Sequence, residues 1–156
     1  MQRELSMKVI APVLERNREA AARVTGFQAW SVAQQPGLLA MREQLDQNSS
    51  RAVWDLESGR IGVTVTEHAS TAAALNALAD DLEANQLAEL PRGPEGLGEI
   101  SFVHPPPAPP AVFFARANLT VAVYSFGREP VDVIGFAQRV DAEISAQTQG
   151  GGGSRS

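Results

Sequence analysis

Histidine is the first side chain to ask about chemistry, and this chain has two: His68 in TVTEHAS and His104 at the head of HPPPAPP. His68 ends an alternating apolar run just ahead of a helix signal at Ser70, which is where a general base or a ligand could face a helix N-terminus, with Glu67 beside it. Adjacent residues of a strand point to opposite faces, so Glu67 and His68 are not expected to share one site. His104 precedes proline, which pushes it to extended geometry and marks the end of its strand. A metal site would need both histidines and a carboxylate, and no HxH or HxxxH spacing pre-forms one.

The acidic residues read structurally. Asp132 follows Pro130 at the start of a helix, where it is expected to cap the chain and complement the helix dipole, worth about 1 kcal/mol. Asp141 lies further along that helix, and Asp80, Asp81 and Glu83 form a solvated helix face. PRGPEGLG (91–98) has glycines but no GxGxxG or GxxxxGK pattern, and its prolines remove the donors that a phosphate nest would need. No GxSxG elbow is present. Without cysteine there is no thiolate nucleophile, iron-sulfur cluster or thiolate zinc site. The sequence therefore nominates no catalytic set, metal or cofactor. Asn48-Ser49-Ser50 and Asn118-Leu119-Thr120 fit the glycosylation pattern, and both are discounted, the second because it falls in a tight hairpin.

The chain has 156 residues, 13 basic and 18 acidic, for a net charge of -5. The basic residues are scattered, so the stripe that nucleic acid requires is missing. No run approaches the roughly 18 apolar residues of a membrane span. The N-terminus carries Arg3, Glu4 and Lys8 among its apolar residues, so the protein is read as cytosolic or, had a leader been cut away before Met1, as periplasmic or secreted.

Residues 1–149 read as a single domain, and GGGGSRS (150–156) as a flexible linker tail. Within 1–50, PVLERNREAAARV (12–24) predicts a helix opened by Pro12, with an alternative start near Leu5 that makes Pro12 a kink. GFQAWSVAQQPG is either strand or loop, and LLAMREQLDQ from Leu38 predicts a short helix with Leu38, Met41 and Leu45 on one side. RAVWDLESGRIGVTVTE then alternates around Ser58-Gly59, with Trp54, Ile61, Val63 and Val65 on one face, which predicts a hairpin. Ser70 caps a helix bearing Leu75, Leu78 and Leu82. GEISFV is a strand, AVFFA and NLTVAVYSFG form a second hairpin around Arg116 to Asn118, and a closing helix buries Val133, Phe136, Val140 and Ile144. From Arg51 the order is ββαβββα. It predicts an α+β domain with an antiparallel sheet of about five strands and helices packed on one face, behind an N-terminal helical region.

RIGVTVTEHASTAAALNALADDL resembles the strand-helix segments of dimeric ferredoxin-like barrels, although the element order here ends on a helix where that fold ends on a strand. The resemblance implies a small cofactor-independent enzyme or carrier with an apolar pocket between sheet and helices.

HPPPAPP offers three readings: ligand for a proline-reading partner, rim of a site, or stiff connector. It lacks a flanking basic residue and is tethered by strands at both ends, so the connector is favoured. A polyproline II spacer of that length carries the chain roughly 15 to 20 Å, enough to cross the end of a sheet. One of Phe113 and Phe114 must point away from the main core, and Tyr124 shares a secondary face with Ala122. An apolar second face means a ligand pocket, a subunit interface or cover by the chain itself. The expected function is a non-catalytic binding or protein-interaction domain of a bacterial-type protein, with Phe114, Tyr124, His104, Trp54 and His68 as its binding residues. A protein partner or a small apolar ligand would occupy it, and homo-oligomerisation through an edge strand is a further expectation.

Overall fold

A computed structural model describes residues 2–153 apart from 22, 33, 34, 36, 85–90 and 105–108. The elements are α1 (Gln2–Arg16), β1 (Leu38–Gln44), β2 (Ser49–Asp55), β3 (Arg60–Glu67), α2 (Thr71–Ala84), β4 (Ile100–Val103), β5 (Ala111–Arg116), β6 (Leu119–Phe126) and α3 (Ile134–Gly153). The strands form one six-stranded sheet in the order β1-β2-β3-β6-β5-β4, and every neighbouring pair is antiparallel. This is the α+β architecture expected from the sequence, with one strand more. It differs from the βαββαβ order of ferredoxin-like domains.

The additional strand is β1. Leu38, Met41 and Leu45 have helical spacing, yet the chain pairs with β2 from Leu38 opposite Asp55 to Gln44 opposite Ser50, so the helix predicted there is corrected to a strand. Pairing satisfies the backbone of β2's outer edge, which a helix would have left open, and that gain overrides the side-chain pattern. The register slips between Leu39 and Met41, leaving Ala40 as a bulge. The helix predicted over 12–24 is corrected too: α1 starts early, contains Pro12 and ends at Arg16, where Asn17 donates to the Val13 carbonyl at 3.1 Å from its backbone and 2.9 Å from its side chain.

Period-two alternation sorts the sheet into two faces. One buries Ala52, Trp54, Ile61, Val63, Val112, Phe114, Val121 and Val123 beneath Val133, Phe136, Val140 and Ile144 of α3, with Val24, Phe27, Ala29 and Val32 of the incoming chain completing the cover. Trp54 meets Phe136 edge-on at 5.0 Å. On the other face Ile100, Phe102, Phe113 and Ala115 pack against Leu75, Leu78 and Leu82 of α2, and α1 lies behind with Ile10 and Val13. The expectation of helices on one face is therefore corrected: α3 covers one face and α2 with α1 the other, because β4 and β5 carry apolar residues at consecutive positions (Phe102 and Val103, Phe113 and Phe114).

Polar anchors hold the corners. Ser70 Oγ accepts from Ala73 N at 3.0 Å, the predicted cap of α2, and Asp132 Oδ1 accepts from Ile134 N at 3.1 Å ahead of α3. Ala117, with φ of 52°, turns the β5-β6 hairpin. Beside it the fully buried Asn118 accepts from Val24 N at 2.7 Å and donates to the carbonyls of Val24 (3.0 Å) and His68 (2.9 Å). An amide so engaged is unavailable to a glycosyltransferase in the folded protein. The proline stretch lies between the paired strands β4 and β5, and His104 N donates to Ala111 O at 3.0 Å, so the wide span expected between its ends is corrected to a close approach. Residues 105–108 of that stretch lie outside the described residues.

Candidate functional site

Helix α2 shields only part of its face of the sheet. Across β1, β2, β3 and the far end of β6, the same face presents a groove of about 470 Å³ lined by Ala40, Met41, Arg51, Val53, Arg60, Tyr124 and Phe126. The pairing explains this lining: Met41 lies opposite Val53, Val53 opposite Gly62, and Gly62 opposite Tyr124, so these residues form one row across four strands. Gly62 makes the floor. A Cβ there would lie 2.8 Å from the Tyr124 hydroxyl oxygen, so the phenol ring rests on the bare glycine backbone of β3. Phe126 lies beside it with ring centroids 5.8 Å apart.

The groove's rim is charged but largely neutralised. Arg51 pairs with Glu43 at 2.8 Å and Arg60 with Asp55 at 2.7 Å, all four side chains being well exposed. The Nε of Arg51 is buried and has no hydrogen-bond partner among the described residues. On the opposite side of β1, Arg42 sits over the Trp30 ring at 5.6 Å and makes no ion pair among the described residues. The large apolar side chains exposed to solvent, among the described residues, are Val9 on α1 and Leu38, Leu39, Met41 and Leu45 on or beside β1.

Of the five residues predicted from sequence, Tyr124 alone lines this groove. Phe114 and Trp54 are wholly buried in the core beneath α3, on the reverse of the sheet. His68 stands at the end of β3, with Nε2 3.0 Å from Thr120 Oγ1, and burial lowers its pKa from the ordinary 6.5. Glu67 turns away and accepts from Gly26 N at 3.0 Å, as strand alternation requires. His104 sits 6.2 Å from the Phe113 ring at the opposite end of the sheet, its buried Nδ1 without a partner among the described residues. Among the described residues the structure does not assemble the two histidines with any carboxylate. No grouping of metal-ligating side chains occurs among the described residues, and no helix there is long and apolar enough to cross a membrane.

Sequence reasoning missed Ala40, Met41, Arg51, Val53, Arg60 and Phe126. A usable signal was the uninterrupted Ala52-Val53-Trp54 run: a strand with one wet face should have placed a polar residue at Val53.

A second concavity of about 630 Å³ lies at the sheet's end between the β2-β3 turn and the segment after β6, lined by Asp55, Glu57, Ser58, Arg60, Arg128 and Glu129. Its carboxylates and guanidiniums are mixed, which favours neither an anion nor a cation. Compared with protein-family models, with curated proteins and with solved structures, the chain matches none.

Proposed function

We propose that this protein is a protein-interaction domain that binds its partner at the β1 end of the sheet. The observation that carries the reading is the concentration of exposed Leu38, Leu39, Met41 and Leu45 along one strand, next to an apolar groove on a half-face that α2 leaves bare. Exposed apolar side chains clustered on one edge mark a contact surface, whereas scattered ones need no explanation. The groove is also large enough for a small apolar ligand, and that is the second reading.

Native mass spectrometry of gently purified protein separates the two. The interaction reading expects a polypeptide adduct that disappears in Met41→Asp while the fold, followed by circular dichroism, is retained. Added small-molecule mass that survives Met41→Asp but is lost in Tyr124→Ala would replace it with the ligand reading. Turnover of any substrate that depends on the groove residues would overturn the non-catalytic assignment.

A further inference from the structure

The edge of β4 is already occupied by its own chain. Arg92 bridges to Phe102, Gly93 N donates to Ser101 O at 3.0 Å, and Val103 N donates to Pro91 O at 2.9 Å. The outer edge of β1 has no such cover among the described residues, and all seven of its residues are exposed. Alternate N–H and C=O groups along it point away from β2 and can accept one more strand.

A second copy of the chain fits this edge poorly. Joining two copies into one continuous sheet by antiparallel pairing requires a two-fold axis normal to the sheet, and residues directly opposite must then share a face. Arg42 pairs with Ala52 and Glu43 with Arg51, so Arg42 and Glu43 lie on different faces and cannot oppose each other. Pairing centred on Arg42 opposes two guanidiniums, and pairing centred on Glu43 opposes two carboxylates. Pairing centred on Met41 sets Arg42 against the bulged Ala40.

The same residues suit a different strand. Glu43 is engaged by Arg51 at 2.8 Å, while Arg42, braced on Trp30, has no carboxylate among the described residues. An incoming carboxylate opposite Arg42 completes a cross-strand pair. The positions flanking it fall on the groove face, one opposite Met41 and the other opposite Glu43, whose charge Arg51 already engages, so neither calls for a second charge and apolar side chains suit both. From the interaction reading above, on which this step rests, we infer that the partner is a separate protein presenting an extended segment of apolar-acidic-apolar pattern, which adds to β1 as an antiparallel seventh strand. The bulge at Ala40 and the charges of Arg42 and Glu43 limit which segments this edge accepts.

The test titrates ¹⁵N-labelled protein with two acetylated, amidated heptapeptides, Val-Thr-Val-Glu-Val-Thr-Val and the same peptide with a central Lys. The Glu peptide should bind about tenfold more tightly, with amide shifts centred on Leu38 to Gln44. Arg42→Glu should reverse the preference, and Arg42→Gln should abolish it. Equal binding of both peptides, or a preference unmoved by Arg42→Glu, overturns the inference. Shifts confined to Gly62, Tyr124 and Phe126 overturn the added strand but leave a binding surface at this end of the sheet. Binding of neither peptide overturns the extended-segment partner, and the interaction reading itself falls only if Met41→Asp also leaves the native adduct unchanged. Sedimentation showing a dimer that protects the Leu38 to Gln44 amides from exchange would replace the partner with a second copy.

Discussion

At the β4 end of the sheet, helices α2 and α3 clamp both faces and the chain returns along Pro91 to Gly93 to close the strand edge. At the β1 end one face carries the incoming Phe27 to Val32 segment, the other is bare, and the edge is unpaired among the described residues. The same sheet is therefore a core at one end and a surface at the other. Edge strands left open expose a hazard of non-specific association, and this one shows two of the usual restraints: it is bulged, and it is charged at Arg42 and Glu43. Those restraints leave a surface selective without closing it.

The sharpest way to break that contrast is to truncate one large apolar side chain at each end. Phe114→Ala removes a ring buried on the α3 side of β5 and should cost about 3 to 5 kcal/mol in urea unfolding. Met41→Ala, exposed on β1, should stay within about 0.5 kcal/mol. Comparable losses at both positions would mean that the β1 end belongs to the core and has no surface to offer.

Ion pairs sharpen the comparison further. Asp141 on α3 holds Arg116 through two bonds, 2.7 Å to Nε and 3.0 Å to Nη2, and accepts from Gly98 N at 2.9 Å. Arg116 also reaches the Gly96 carbonyl at 3.0 Å, and the hydrogen bond to Asp141 raises its pKa above the ordinary arginine value. Asp141→Ala leaves the half-buried guanidinium with only the Gly96 carbonyl and Glu99 at 3.7 Å, and should cost about 2 kcal/mol. At the β1 end, Glu43→Ala breaks an exposed pair and should cost no more than about 1 kcal/mol. Chemical denaturation of both variants in low and high salt checks this, with the Glu43 effect the more strongly screened.

How far each end could be read from sequence follows from the same physics. Strands β2 to β6 and helices α2 and α3 were legible because burial imposes a period: Ile61, Val63 and Val65 alternate, and Leu75, Leu78 and Leu82 recur on one helix side. Ser70 and Asp132 were legible because a cap is a local contact. Strand β1 was not, since an exposed edge strand has no apolar alternation to enforce, and the accidental spacing of Leu38, Met41 and Leu45 imitates a helix. The groove was half legible. Tyr124 followed from the face it shares with Ala122, but Met41, Val53 and Arg51 come together only through the pairing of β1, β2 and β3.

The smallest expected effect belongs to His68, at the sheet end where β3 meets the β5-β6 turn. Burial lowers its pKa from 6.5, so the folded chain holds that proton less tightly than the unfolded chain does. Between the folded value and 6.5 the unfolded state therefore binds more protons, and stability rises with pH across that window. Above it both states are neutral and the contribution is flat. Acidification from pH 7.5 to pH 5.5 should lower the urea midpoint of the wild type, and His68→Gln should remove part of that decrease. The bond to Thr120 Oγ1 survives protonation, because an imidazolium can still donate to a hydroxyl, so the decrease reports the desolvated charge itself. An identical pH profile in His68→Gln would mean that the imidazole is as well hydrated as the β1 surface, and the boundary between core and surface would have to be drawn on the other side of His68.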